Sequence, residues 1–463
     1  MKIPRAWWSG LRGSAGLLTV LALAVFAVGC GDIFRPVAIP IAGSPGDPQP
    51  TSFAFVLNQN APSNAGSITQ LNVPGDSAVF ATPAGVGPVY AAFLPPGESR
   101  IYVANRDDDT LTTYLPSLST FPPTVLNLPA GSHPVYLAST ESGKMYVADA
   151  GTNTVGVVDG LQSALTNVIP VGNTPVALAE TSDHKKLYAV NQGDGTVSVI
   201  DTATDTVLHT ITVGTSPTWA LFSPDNLELY VLNQGSGTVS VINVTTDTLV
   251  TSLSAGTSPT HMFVDTHFNR LYVVDAATGQ NLWIFDASVD PPVPLKGISL
   301  PLANPTSVTV LANGLKAYIP SQQITAPALN SLCPMSNIPC SLAVVTVAVV
   351  NTTNNSVSKT VLLRSPVPQS LDPVTKQLNS LVCNPANVPF TQTGGVRFRT
   401  FATAASNSNR VYISSCDAGV IHILNTTNDS LVTDLSMAAS AFPPPTSTSP
   451  PPPQQPVFVL AGP

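Results

Sequence analysis

The chain has 463 residues, of which only 10% are charged, against about a quarter in an ordinary soluble protein. Its 18 Lys and Arg residues form no cluster and the formal net charge is −8, which argues against a nucleic-acid partner. With 45 Pro and 31 Gly, and many Thr, Ser, Asn and Val residues, the composition is that of short strands and tight turns.

Residues 1–29 read as a targeting signal. Lys2, Arg5 and Arg12 form a basic start, and residues 15–28, AGLLTVLALAVFAV, form an apolar run. That run is shorter than the about 20 residues a membrane span needs. It ends in Ala27-Val28-Gly29-Cys30, which resembles the lipobox of bacterial lipoproteins. The resemblance implies cleavage before Cys30 and acylation of Cys30, although the family more often has Leu at the position of Ala27. Several acyl chains anchor stably where one holds weakly, so the membrane is the first expected partner. Gly31 after the Cys, rather than Asp, implies by the same resemblance the outer membrane of a bacterial envelope. An ordinary secretory signal with an incidental Cys is the alternative. Cleavage would leave 15 basic against 26 acidic residues, a net charge of −11. Residues 30–51 are rich in Pro and Gly and read as a tether.

From residue 52 onward a repeat governs the sequence. Tyr188, Tyr230 and Tyr272 stand 42 residues apart, and each opens a near-copy of one phrase. A period of this size marks a repeat architecture. Each phrase divides into four short strand signals, as in PTWALFS, LELYVLNQ, GTVSVINV and DTLVTSLSA over residues 217–255. These alternate apolar and polar positions and are bounded by turn residues. Four antiparallel strands per repeat predict an all-β fold, the β-propeller, with 52–463 as its domain.

The second-strand signal recurs as FAFVLN at Phe55, IYVAN at Tyr102, MYVAD at Tyr146, LYAVN at Tyr188, LYVLN at Tyr230, LYVVD at Tyr272, AYIPS at Tyr318 and VYISS at Tyr412. Here the chain resembles the YVTN family of β-propeller repeats over about residues 53–460. The family implies a propeller, often on exported or surface proteins, and no single activity. Eight second strands predict eight blades; seven, the family's more usual number, is the alternative. The long step from Tyr318 to Tyr412 places insertions near 322–342 and 366–395. Blade one lacks its innermost strand, and Pro456-Val457-Phe458-Val459-Leu460 matches the missing phrase. The C-terminal segment is therefore expected to close the ring and remove its exposed edges.

Both insertions fall in loops that share one face of the propeller, the face of the second-to-third-strand loops and the blade-to-blade connections. Loops on a rigid scaffold are where binding sites usually lie. Cys333, Cys340, Cys383 and Cys416 all lie in or beside that face. The natural pairing is Cys333–Cys340 and Cys383–Cys416, worth roughly 2.5 and about 4 kcal/mol by chain entropy. A metal site on these residues is disfavoured, because no His stands at ligand spacing.

The position two residues after the first-strand Pro carries Tyr90, Tyr136, Ala177, Trp219, His261, Ser307 and Phe458 around the ring. Blade eight lacks the Pro, and Arg397 or Arg399 stands nearest in register. Tyr90, Tyr136, Trp219, His261 and Phe458 form a candidate ligand site at the channel mouth. Aromatic filling of a wide channel, with no ligand, is the competing account.

Other features read as structure. Asn58, Asn105, Asp149, Asn191, Asn233 and Asp275 end strands and are expected to bond the backbone of the following turns. The run Arg106-Asp107-Asp108-Asp109 reads as a solvated turn, with weak calcium binding as the alternative. No catalytic constellation is legible. Glu180, Asp265 and His261 are the inner-strand candidates for a lactonase-like site, and His133, His184, His209, His267 and His422 form no dyad. The expected function is a monomeric, envelope-anchored scaffold binding a protein or small ligand, without cofactor. A propeller enzyme of lactonase type and a surface adhesion protein are the alternatives.

Overall fold

The computed structural model describes residues 53–461 apart from 61–63, 95–99, 116–122, 140–142, 278, 303, 334–336, 338, 367–382, 384–397 and 438–454. Every described element is a strand, and the strands form eight four-stranded antiparallel sheets. Blade one holds β1 (Phe53–Gln59), β2 (Ala65–Asn72) and β3 (Ser77–Val86). Blade two is β4 (Pro88–Leu94), β5 (Arg100–Asn105), β6 (Thr110–Tyr114) and β7 (Thr124–Asn127). Blade three is β8 (Pro134–Ser139), β9 (Lys144–Asp149), β10 (Thr154–Asp159) and β11 (Ala164–Pro170). Blade four is β12 (Pro175–Glu180), β13 (Lys186–Asn191), β14 (Thr196–Asp201) and β15 (Thr206–Thr212). Blade five is β16 (Pro217–Phe222), β17 (Glu228–Asn233), β18 (Thr238–Asn243) and β19 (Thr248–Ser254). Blade six is β20 (Pro259–Asp265), β21 (Arg270–Asp275), β22 (Leu282–Asp286) and β23 (Val293–Ile298). Blade seven is β24 (Thr309–Val310), β25 (Lys316–Ile324), β26 (Leu342–Asn351) and β27 (Ser356–Pro366). Blade eight is β28 (Thr400–Ala404), β29 (Arg410–Ser415), β30 (Val420–Asn425) and β31 (Ser430–Ser436).

The last strand, β32 (Gln455–Ala461), pairs antiparallel with β1 and completes blade one from the far end of the chain. Phe458 stands opposite Leu57 and Val459 opposite Val56. The eight-blade count and the C-terminal closure therefore both hold. Residues 1–52, with the signal, the lipidation site Cys30 and the tether, lie outside the described residues. So does most of the second insertion. The strands of blade seven run only a few residues into the first insertion, β25 ending at Ile324 and β26 beginning at Leu342.

Burial explains why the strands of one blade differ in composition. Inner strands lie between neighbouring blades and are buried on both faces, as in β17, ELYVLN, where every residue is buried. Outer strands meet solvent and alternate, as in β19, TLVTSLS, where only partial burial occurs. The second-strand tyrosines Tyr102, Tyr146, Tyr188, Tyr230, Tyr272, Tyr318 and Tyr412 are all fully buried between blades.

Each of these tyrosines marks a seam with the next blade. Two residues before all but Tyr230 stands a long cationic side chain that reaches the third-to-fourth-strand turn of that next blade. Lys144 Nζ lies 2.8 Å from the Thr202 carbonyl and 3.0 Å from Asp205, and Tyr146 also donates to Asp205. Lys186 meets the Val244 carbonyl at 2.9 Å and Asp247 at 2.6 Å. Lys316 meets the Thr426 carbonyl at 2.6 Å and Asp429 at 2.8 Å. Arg100 reaches the Gly160 carbonyl and Ser163, Arg270 reaches the Thr352 carbonyl and Asn355, and Arg410 pairs with Asp76 at 2.9 Å. Six seams thus carry a cation bonded to a turn oxygen of the next blade, and in five of them a backbone carbonyl of that turn completes the latch. Asp76, Ser163, Asp205, Asp247, Asn355 and Asp429 all hold positive φ, which Asp and Asn tolerate better than most residues.

Candidate functional site

Strand one of most blades carries a bulge just after its Pro, at Pro88/Tyr90, Pro134/Tyr136, Pro175/Ala177, Pro217/Trp219 and Pro259/His261. The bulge turns the second residue after the Pro toward the central axis. Tyr90, Tyr136, Trp219, His261 and Phe458 all arrive there and pack on one another. Tyr90 stacks on Tyr136 with centroids 4.2 Å apart and meets Phe458 at 4.8 Å. Tyr136 meets Trp219 edge-on at 5.6 Å, and Trp219 meets His261 at 5.1 Å. Trp219 thereby spans the small Ala177 of blade four.

The ring is completed by residues that the sequence did not point to. Phe401 lies 5.7 Å from His261 and 4.9 Å from Phe458. Phe398 lies 5.9 Å from Trp219, 5.3 Å from His261 and 5.1 Å from Phe401. Blade eight has no bulge, because Thr400 pairs with Ser415 and Phe401 with Ser414 in unbroken register. The residue aimed at the axis is therefore Phe401, and not Arg399. Arg399 turns to Asp417, at 2.6 and 3.0 Å; Arg397 lies outside the described residues. Every ring member is buried, Phe398 being the least so at 6% exposed. Stacked and edge-on contacts of this kind are worth about 0.5–1.5 kcal/mol each beyond area burial.

His261 is held as well as packed. The Val308 amide donates to its Nδ1 at 3.2 Å, which places the ring proton on Nε2. The other inner-strand candidates are not brought to it. Glu180 pairs with His184 at 3.2 Å at the far end of blade four's first strand. Asp265 accepts the His267 and Phe268 amides and caps the turn after β20. Among the described residues no group of three or more His, Cys, Asp or Glu is placed to hold a metal ion. Nor is any helix there long and apolar enough to cross a membrane.

The elaborated face is built differently. Cys333–Cys340 and Cys383–Cys416 are both disulfides, as the spacing predicted. Beside the second, Asp417 is 2% exposed and receives Arg399 and the Gln322 amide, and Ser415 donates to Gln322 at 3.2 Å. This network ties the hairpin of blade seven to the strand-end loop of blade eight. The segment that leads into the first disulfide presents Leu329 and Leu332 to solvent, with 64% and 43% exposure.

The strand-end residues depart from expectation. Asn105, Asn191 and Asn233 donate across the sheet to hydroxyls of strand three, at Thr110 and Thr112, Thr196 and Ser198, and Thr238 and Ser240. Asn58 does the same to Ser67 and Thr69. Asp275 alone follows the expected pattern, accepting the Ala277 amide of its own turn and the Thr257 and Ser258 amides of the preceding connection. The Arg106 run is also not a solvated turn. Arg106 is 1% exposed and paired with Asp107, while Asp108 takes the Val86 amide of the preceding connection and Asp109 the Gly131 and His133 amides of the following one.

Asp149 is the outlier of the strand-end set. It stands where four blades have Asn, is fully buried, and faces Thr154 and the bare Gly156 instead of two hydroxyls. Burial, and then the nearby Asp109, push its carboxyl well above the usual carboxylate range. A raised carboxyl is protonated in the fold and ionised in the unfolded chain, so its presence weakens the fold as pH rises above about 4. Asp149→Asn is expected to stabilise the protein by about 1–3 kcal/mol at neutral pH and by less near pH 4. Urea midpoints measured at both pH values check this; a destabilised variant at neutral pH would refute it.

No family model matches the chain, and no curated protein sequence does. Its likenesses are to solved structures. Dihydro-heme d1 dehydrogenase NirN, solved in complex with DHE, is 12% identical and aligns with a TM-score of 0.58, covering 94% of this chain and 86% of that one. A protein described as a candidate 6-phosphogluconolactonase from Bacteroides uniformis is 16% identical at a TM-score of 0.49, covering 68% of this chain and 98% of that one. A functionally unknown protein from Desulfotomaculum acetoxidans is 12% identical at 0.48, covering 82% and 94%. At these identities the likeness concerns the fold alone, an all-β propeller.

Proposed function

We propose that the chain is an envelope-anchored propeller of the YVTN-repeat type, tethered through acylated Cys30, that acts as a protein-binding scaffold through its disulfide-braced face. The observation that carries this reading is the pair Leu329 and Leu332, exposed in the loop between β25 and β26 just ahead of the Cys333–Cys340 disulfide. Large apolar side chains on a stiffened loop offer contact area at little ordering cost, which is what a binding anchor needs. The chemistry of the central axis supports the same assignment. Its aromatic faces are already occupied by one another, so a flat or sugar-like ligand finds none to stack upon.

The test is a double substitution, Leu329→Ser with Leu332→Ser. Envelope proteins cross-linked to the full chain should be lost with the variant while its melting temperature stays within about 2 °C, since exposed positions carry little stability. The same cross-linked set with both proteins would remove the proposal. A thermal-shift screen with sugars and lactones addresses the enzyme alternative: a hit abolished by His261→Ala would favour it.

A further inference from the structure

The outermost strand of each blade has a free edge, and this fold blunts most of those edges. A bulge breaks the pairing of the outer strand in every blade but the second, and β7 there is only four residues long. Outside blade seven the unbroken run is at most four residues, as at 209–212 and 251–254. Short, bulged edges resist pairing with another chain. β27 departs from this. Its bulge lies near its start, and from Lys359, opposite Val349, to Pro366, opposite Leu342, eight residues pair without a break. β27 is the outermost strand of its sheet. Leu363 and Ser365 are buried on one face, Leu363 in a cluster with Ala402 and Val411 of blade eight. Thr360, Leu362 and Arg364 alternate with them and are exposed, Leu362 at 52%. Arg364 stands opposite Val344, which packs on Cys333, Cys340 and Leu342, and Cys340 bridges to Ala328, the neighbour of Leu329. The edge is thus continuous with the surface that carries Leu329. Its charge is distinct too. Residues 317–371 contain Lys359 and Arg364 and no Asp or Glu, in a chain with 26 acidic residues. Lys359 is turned to the Asn428 carbonyl of blade eight at 2.8 Å, which leaves Arg364 as the cation of the free edge.

We propose that the outer edge of β27 takes an extended segment of a partner protein as a fifth strand of blade seven, and that this segment alternates apolar and acidic side chains. The inference rests on the scaffold reading above and adds how the partner is held. An edge strand directs the N–H and C=O groups of alternate residues outward, so eight unbulged residues offer a ladder that the shorter edges do not. Main-chain bonds along such a ladder supply affinity, and the side chains of one face select the sequence. Here that face offers Leu362 for apolar contact and the Arg364 guanidinium for a carboxylate, which it can grip with two parallel bonds. A second copy of this chain matches the edge poorly. β27 laid against β27 brings Lys359 and Arg364 toward the same two cations, with no acid on either strand to separate them.

The test uses the full chain and a fluorescein-labelled peptide of about ten residues that alternates Val and Glu, followed by fluorescence anisotropy. The peptide should bind saturably and slow amide hydrogen exchange within residues 359–366. The same peptide with every amide N-methylated keeps its charges, loses its donors and should not bind. Arg364→Glu, at an exposed position, should weaken the Val/Glu peptide by about tenfold or more and admit a Val/Lys peptide instead. No binding of the Val/Glu peptide at about 1 mM would overturn the proposal, and so would binding that ignores N-methylation or Arg364→Glu. A peptide-free chain that dimerises with protection of the same amides would give the edge to a second copy and overturn it as well. If the Leu329→Ser, Leu332→Ser variant loses its cross-linked proteins while the peptide fails to bind, the edge inference alone falls and the scaffold reading stands.

Discussion

Removal of residues 455–463 is expected to abolish native-like melting. β32 buries Val457, Phe458, Val459 and Leu460, each at 5% exposure or less. Burying such side chains is worth about 1.5–3 kcal/mol apiece, so the strand's contribution rivals the 5–15 kcal/mol of a typical domain. The loss does not stop at blade one. Phe458 bridges Tyr90 of blade two and Phe401 of blade eight, so its removal opens the aromatic ring on both sides. It also leaves β1 with an unpaired inner edge, which invites association with other chains. Near-ultraviolet circular dichroism during heating, with size-exclusion chromatography, reads both effects. A truncated chain that melts as the full one does would show that the closure contributes nothing.

Trp219→Ala is expected to cost about 3–5 kcal/mol, the range for deleting a fully buried large aromatic. Trp219 is 1% exposed and touches Tyr136, His261 and Phe398, which come from three other blades. The cavity left behind would lie on the axis, where no single blade can collapse into it. Trp219→Phe should recover part of the loss. Urea midpoints at constant slope measure both. A cost below about 1 kcal/mol would mean that the side chain stands in open solvent, and would revive the channel as a ligand site.

Much of the fold was legible because it repeats. A phrase seen once is ambiguous, whereas Tyr102, Tyr146, Tyr188, Tyr230 and Tyr272 in step define a blade and its period. The closure was legible for the same reason, since Pro456-Val457-Phe458 restates a phrase missing at the other end. The cysteine pairs followed from loop position. What failed was register. The axis position of blade eight cannot be counted from a Pro it lacks, and without the bulge Phe401 takes the place that Arg397 or Arg399 was expected to hold. The strand-end Asn residues misled because their partners lie across the sheet, at Thr110 or Ser198, and not in the adjacent turn. The seam latches were visible and unread. Arg100, Lys144, Lys186, Arg270, Lys316 and Arg410 all precede a second-strand Tyr by two, with Glu228 the exception. Their meaning depends on a turn of the next blade, from 61 residues away for Lys144 to 334 for Arg410, a distance that no local pattern reports.

The pairing of β32 with β1 has a consequence for how the molecule is made. Among the described strands, β1 is made first and waits for β32 before it has both neighbours. A chain cut short by premature termination, or clipped near its end, can form its middle blades and still present one bare strand. Synthesis through β32 is thereby read out as a physical property of the product: until that strand is present, β1 keeps a bare edge.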